Sequence, residues 1–122
     1  KKSVVVFEGN IDKLKKIYKS SGLVYDSPSP YPSVFRDIAL LIDNNISSGE
    51  VEHVIKKNGS EFLRGLKLFD LYESDELGQH KKSMAYSLHF QSNEKTLNDK
   101  SVDKIIQKIV ESLTNKFGAK QR

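Results

Sequence analysis

From residue 34 onward the sequence predicts an α+β sandwich, in the order strand, helix, strand, strand, helix and a last short strand. Three observations carry that prediction. Ser83 to Gln91 alternates without a break, with Met84, Tyr86, Leu88 and Phe90 facing one way and Ser83, Ala85, Ser87 and His89 the other. Val102, Ile105, Ile106, Ile109, Val110 and Leu113 recur at helical spacing and make one continuous apolar stripe. Phe35 to Ile42 is a mostly apolar run that follows a proline-punctuated stretch and reads as a central strand. Two β-α-β units with right-handed crossovers then put both helices on one face of an antiparallel sheet and leave the other face open.

Taken in order, Val4 to Phe7 is a short β-branched and aromatic run expected to be extended. Ile11, Leu14, Ile17 and Tyr18 follow at helical spacing, with Asn10 as N-cap and Gly22 as the stop. This strand and helix have no partner hairpin of their own. With Lys1-Lys2-Ser3 at the start in place of a Met, they read as the last piece of a preceding domain. Leu23, Val24 and Tyr25 look extended, and Pro28, Pro30 and Pro32 at every second position make a stiff linker, where the main boundary is placed. The central strand begins after Pro32, which cannot donate to a ladder, and turns Ile38, Leu40 and Ile42 toward the core.

Ser47 and Glu50 have capping-box spacing, and Val51, Val54 and Ile55 form the stripe of a helix that ends near Asn58-Gly59. Phe62 to Tyr72 reads as a strand with Asp70 and Tyr72 on one face and Phe69 and Leu71 on the other. Because Leu66 and Leu68 share parity with Asp70, the pattern points to a bulge. Glu73 to Lys82, containing Gly78, is a polar connection. Asn98 or Asp99 caps the last helix, which stops before Gly118, and the residues after it suit a short strand. Docking its stripe on the Met84 and Phe90 face would stabilise the fold by roughly 1.5 to 3 kcal/mol per large side chain. The whole is a ferredoxin-like arrangement, a fold that hosts many functions.

Composition narrows the classes. A chain of 122 residues supports one core. No apolar run approaches bilayer length and no signal-peptide pattern opens the chain, so a soluble, cytoplasmic protein without a membrane partner is expected. The absence of cysteine excludes disulfides and thiolate metal sites. The net charge is +4, with the surplus at the ends: six Lys against three acids in residues 1–33, and seven basic residues against four acids in 94–122. Residues 34–93 hold seven basic residues against nine acids. That is a weak polyanion signal, and only Arg36, Arg64 and Arg122 offer a guanidinium. His53, His80 and His89 have no metal-ligand spacing, and no phosphate loop, nucleophile elbow or paired-acid motif is present.

Tyr31-Pro32, Arg36-Asp37-Ile38-Ala39, Leu68-Phe69-Asp70-Leu71-Tyr72, Lys82-Ser83, Lys95-Thr96-Leu97-Asn98-Asp99 and Gly118-Ala119 before Arg122 form an ordered set. Together they resemble the ferredoxin-fold anticodon-binding domain that closes the β chain of bacterial phenylalanyl-tRNA synthetases. The resemblance spans residues 31–122. Residues 1–30 then become the remnant of a preceding catalytic-like module plus its proline-rich linker. It implies a non-catalytic RNA-binding module whose partners are the anticodon stem-loop of tRNA(Phe) and, in a heterotetramer, the α subunit. The α subunit carries the active site and uses ATP and Mg2+; this piece itself needs no cofactor. It also implies an anticodon site at Asp70 and Tyr72, Tyr72 stacking on a base and Asp70 accepting hydrogen bonds from a base edge, with Arg36, Asp37 and Ser83 as neighbours on the sheet. The chain departs from the family's pattern at Phe35, where a basic residue is common, and at Gln121, where an aliphatic one is.

Each of these residues also has a plainer reading. Tyr72 can be a strand aromatic packed on its neighbour, Asp70 can pair with a nearby Lys, and Arg36-Asp37 can be a structural ion pair. Lys81 and Lys82, with His80, read as a loop beside the open face, either solvated or meeting phosphates. The alternative function is a ferredoxin-like regulatory or assembly domain whose sheet binds a protein or a small effector.

Overall fold

A computed structural model describes residues 3–18, 27–73, 77 and 80–122. Four strands, β1 (Val34–Asp43), β2 (Leu63–Glu73), β3 (Lys81–Phe90) and β4 (Lys120–Gln121), form one sheet in the order β2-β3-β1-β4. Every neighbouring pair is antiparallel. Since β1 and β2 both run against the β3 strand inserted between them, they run parallel to each other, and the helix joining them completes a split β-α-β unit.

Two helices cover one side. In α2 (Ser48–Asn58) the Ser47 hydroxyl accepts from the Glu50 amide while the Glu50 carboxylate accepts from the Ser47 amide and hydroxyl, a complete capping box. Those donors hold the Glu50 carboxyl below its ordinary range. In α3 (Asp99–Phe117) the cap is Asn98, whose side chain accepts from the Ser101 amide. The helix closes on Gly118 at φ +63°, the left-handed conformation that glycine adopts without steric cost.

The core lies between these helices and the sheet. Ile38, Leu40 and Ile42 of β1 and Met84, Tyr86, Leu88 and Phe90 of β3 meet Val51, Val54 and Ile55 of α2 and Val102, Ile109 and Leu113 of α3. All of these residues are buried. The predicted stripe holds at Val102, Ile109 and Leu113, with Ile105 and Ile106 packed half-buried at its margin, while Val110 is half-buried and lies outside the core.

The approach to the domain differs from expectation at one point. Val4 to Phe7 joins no strand, and these side chains are almost fully exposed. A β-branched run becomes a strand only when a ladder partner accepts its backbone bonds, and none of the described residues does so. The predicted helix follows as an α1 (Ile11–Ile17) that buries none of its residues, capped by Asn10 accepting from the Lys13 amide. Gly22, the extended run Leu23 to Tyr25 and Gly78 lie outside the described residues. The proline stretch is tied down where it meets the sheet: the Ser29 hydroxyl donates to the Ser92 carbonyl (2.8 Å) and the Gln91 side-chain Nε2 donates to the Tyr31 carbonyl (2.7 Å). Among the described residues no helix is long and apolar enough to cross a membrane.

Candidate nucleic-acid interface

Residues directly opposite each other in an antiparallel pair point to the same side, so the register assigns each side chain a face. Ile38, Leu40 and Ile42 oppose Tyr86, Met84 and Lys82 and face the helices. Phe35, Asp37, Ala39 and Leu41 oppose His89, Ser87, Ala85 and Ser83 and face away from them. The floor of this uncovered side is therefore built from small groups, Ala39, Ala85, Ser83 and Ser87.

The β2 strand joins that side through an irregularity. Leu66 opposes Leu88 and Leu68 opposes Tyr86, both on the helix side, but the next pair is Asp70 with Ala85. Two steps along β2 match one step along β3, so Phe69 is the extra residue of a bulge. Beyond it the parity is reversed. Without that residue Asp70 would point into the core with Leu66 and Leu68; with it, Asp70 lies over Ala85 and Tyr72 beside Ser83, while Leu71 moves to the helix side opposite Met84. Asp70 and Tyr72 are both exposed, and Tyr72 keeps 46% of its surface in water.

The other predicted site residues divide. Asp37 is on the uncovered side, exposed, opposite Ser87. Ser83 is there too but is only 7% exposed, set between Leu41 and Tyr72. Lys81 reaches the rim, where its ammonium is held by Asp43 at 2.6 Å. Arg36 is not a neighbour of Asp70. It opposes Leu88 on the helix side, and its guanidinium donates to Asp99 Oδ1 (2.5 Å) and to Asp103 Oδ1 (3.2 Å) at the start of α3. The hydrogen bond to Asp99, then that to Asp103, holds the Arg36 pKa above its ordinary value. It clamps helix to strand, and it forms no ion pair with Asp37. Lys82 also turns to the helix side, 8% exposed, with Nζ donating to the Asn44 carbonyl (2.9 Å). Lys81 and Lys82 are thus the first residues of β3 and not a loop. Strand parity carried both corrections: Arg36 is two residues from Ile38, and Lys82 two from Met84.

The sheet also gathers residues that motif reading passed over. Lys67 opposes Ser87 on the uncovered side and is exposed. Lys120 opposes Leu41 there, and the Arg122 amide donates to the Ala39 carbonyl (2.9 Å), which continues the register and brings Arg122 to the same side. Among the described residues these three cations form no ion pair. Phe35 and His89 stack with ring centroids 4.7 Å apart and planes within 8°. No group of three or more His, Cys, Asp or Glu suited to a metal ion occurs among the described residues. The face combines an exposed phenol, carboxylates that accept hydrogen bonds, a floor low enough for a flat ring to approach, and cations around it. Such a set binds unpaired bases by stacking and edge contacts, and their phosphates by charge.

The family model described as "Ferredoxin-fold anticodon binding domain" matches residues 29–122. Among curated proteins, the phenylalanine–tRNA ligase beta subunit of Listeria monocytogenes is 39% identical over 97% of this chain, and that of Carboxydothermus hydrogenoformans 40% identical over 100%. The beta subunit of Streptococcus mutans is 42% identical over 96%. The chain spans about 15% of the length of these relatives.

Proposed function

Since the chain belongs to the ferredoxin-fold anticodon-binding domain family, we propose that it serves as the anticodon-binding module of a phenylalanine–tRNA ligase beta chain, gripping the anticodon loop of tRNA(Phe). The module does no chemistry of its own. It positions the tRNA while the acceptor end is aminoacylated on an α subunit, the chain that would use ATP and Mg2+. Residues 1–30 would then be the end of a preceding module and its linker, with residues 31–122 forming the domain.

The observation that carries this reading is the β2 bulge. It turns Asp70 and Tyr72 out over the small residues of β3, where a base can lie on the phenol ring while its edge donates to the carboxylate. A bulge that moves a carboxylate and a phenol from the core side to the solvent side costs ladder bonds and re-aims side chains, the use bulges have near binding sites. Asp37 lies on the same face and contributes charge; Ser83 contributes the close floor. Arg36 acts at one remove, fixing β1 against α3. The proposed site is Asp70, Tyr72, Asp37 and Ser83, with Lys81 at the rim balanced by Asp43.

The test is filter binding of tRNA(Phe) to the intact ligase at fixed salt. Tyr72→Ala is expected to weaken binding by roughly 1 to 3 kcal/mol, the usual contribution of one stacked base, and Tyr72→Phe to retain most of the affinity. Unchanged binding by Tyr72→Ala would count against the site. If the sheet instead served a protein or effector, an anticodon stem-loop titrated into the labelled protein would leave the amide signals of Asp70 and Ser83 unmoved.

A further inference from the structure

Phe35 is one of the most exposed large side chains on the sheet, with 60% of its surface in water. It occupies a position where period-two alternation puts it on the uncovered side, away from the core. Its ring is not loose, since one face lies flat on the His89 imidazole at 4.7 Å and 8°. His89 in turn lies against β2 at Gly65, where even a methyl group would come within 3.3 Å of the His89 Cβ and 3.5 Å of its Nδ1. Gly65, His89 and Phe35 are opposite one another across three strands, so the glycine lets the imidazole lean in and the imidazole sets the phenyl ring. The ring's other face looks toward the side where β4 would lie, but β4 pairs with β1 only at Leu40 and Leu41, well below Phe35.

This arrangement is not explained by stability. It leaves a phenyl ring in water, and His89 Nε2 is buried without a hydrogen-bond partner among the described residues. An orphaned buried nitrogen of this kind is destabilising, and an exposed ring returns little of that. What it does provide is a rigid aromatic surface, already held in one orientation, so that stacking a further ring on it costs little additional ordering.

We infer that the Phe35–His89 stack is a second nucleobase platform, taking one unpaired base of the same RNA on the outer face of Phe35. The inference rests on the reading of this side as the anticodon surface and extends it to a second nucleotide. The Phe35 row and the Tyr72 row are six residue steps apart along β1, from Phe35 to Leu41, and two strands apart. At about 3.3 Å per residue that is about 20 Å along the strands, several times the rise of about 3.4 Å between stacked nucleotides. The two aromatics therefore hold different nucleotides, and Lys67, on the same face between the two rows, lies along the path of the connecting phosphates.

The experiment uses the intact ligase and tRNA(Phe) transcripts carrying a single abasic site at each anticodon-loop position in turn. Phe35→Ala and Phe35→Leu should weaken the unmodified tRNA by about 5- to 150-fold, while Phe35→Trp retains affinity. One abasic position should cost the wild type but add nothing in Phe35→Leu, and it should differ from the position that couples to Tyr72→Ala. Phe35→Leu keeps an apolar side chain on the strand, so a loss there with an unchanged melting temperature is a loss of stacking. Binding by Phe35→Leu within twofold of wild type, or coupling of Phe35 and Tyr72 to the same nucleotide, overturns the inference. If Tyr72→Ala is silent as well, the anticodon-surface reading falls with it; if Tyr72→Ala weakens binding and Phe35→Leu does not, only the second platform is lost.

Discussion

Lys67 offers the sharpest test of the proposed RNA surface. Its partner across the sheet is Ser87, it is exposed, and among the described residues it has no carboxylate partner. Of the cations the register brings to the uncovered side, Lys81 is already neutralised by Asp43, which leaves Lys67, Lys120 and Arg122 for phosphates. Each phosphate neutralised on a single strand contributes about −0.7 to the slope of log K against log salt. Three contacts from this face then account for a slope of about −2, and Lys67→Ala should reduce the slope of the intact enzyme by about 0.7. Between 50 and 200 mM salt one such contact loses about 2.6-fold in affinity. The variant should therefore be hurt about 2.6 times more at the lower salt than at the higher. Filter binding of tRNA(Phe) over that range reads the difference, and contacts made elsewhere in the enzyme cancel between variant and wild type. Lys104→Ala, exposed on the helix α3 that covers the opposite side, is the control and should leave the slope alone. Equal slopes for Lys67→Ala and wild type would mean that no phosphate passes over β2, and the path drawn across the sheet would be wrong.

Two further outcomes follow from the packing. Burial, with a smaller push from the charge of Glu52, raises the Tyr86 phenol to about 12, against about 10 in an unfolded chain. The unfolded state loses its proton first, so stability is intact below pH 10 and falls between pH 10 and 12, by at most about 3 kcal/mol; urea unfolding across that range should show this extra loss in the wild type and not in Tyr86→Phe. Arg36→Ala removes the clamp between β1 and α3 and should lower the melting temperature, while the folded variant keeps its base preference, because the guanidinium is on the far side of the sheet. A changed base preference in that variant, at constant fold, would place Arg36 back among the recognition residues.

Much of the fold was legible because its signals are local. The capping box at Ser47 and Glu50, the glycine after α3, the stripe from Val102 to Leu113 and the alternation from Ser83 to Gln91 each depend on a few neighbouring residues, and each is found where the pattern put it. Even the bulge in β2 was visible as a conflict of parity between Leu66, Leu68 and Asp70, since a carboxylate is too costly to bury beside two leucines without a partner. Parity also held the true positions of Arg36 and Lys82. Motif order draws Arg36 to the face of Asp70, and the polar connection draws Lys82 into a loop beside it, whereas the two-residue period of each strand puts them with Ile38 and Met84.

From residue 34 onward the amino-acid order alone thus determined which segments are strands and helices, their ends to within a residue or two, and which residues within one strand share a side, whereas the run Val4 to Phe7 looked extended and joins no strand. Only the folded sheet decided which strands are neighbours, and with that which residues of different strands come together: Tyr72 beside Ser83, Lys67 opposite Ser87, Phe35 flat on His89 with Gly65 behind it, and Arg36 held by two acids more than sixty positions away. The reason is physical. Side-chain direction repeats every two residues along a strand and is fixed by the backbone, whereas register between strands comes from burying the whole core at once, and a shift of one residue would exchange the faces of every side chain it carries.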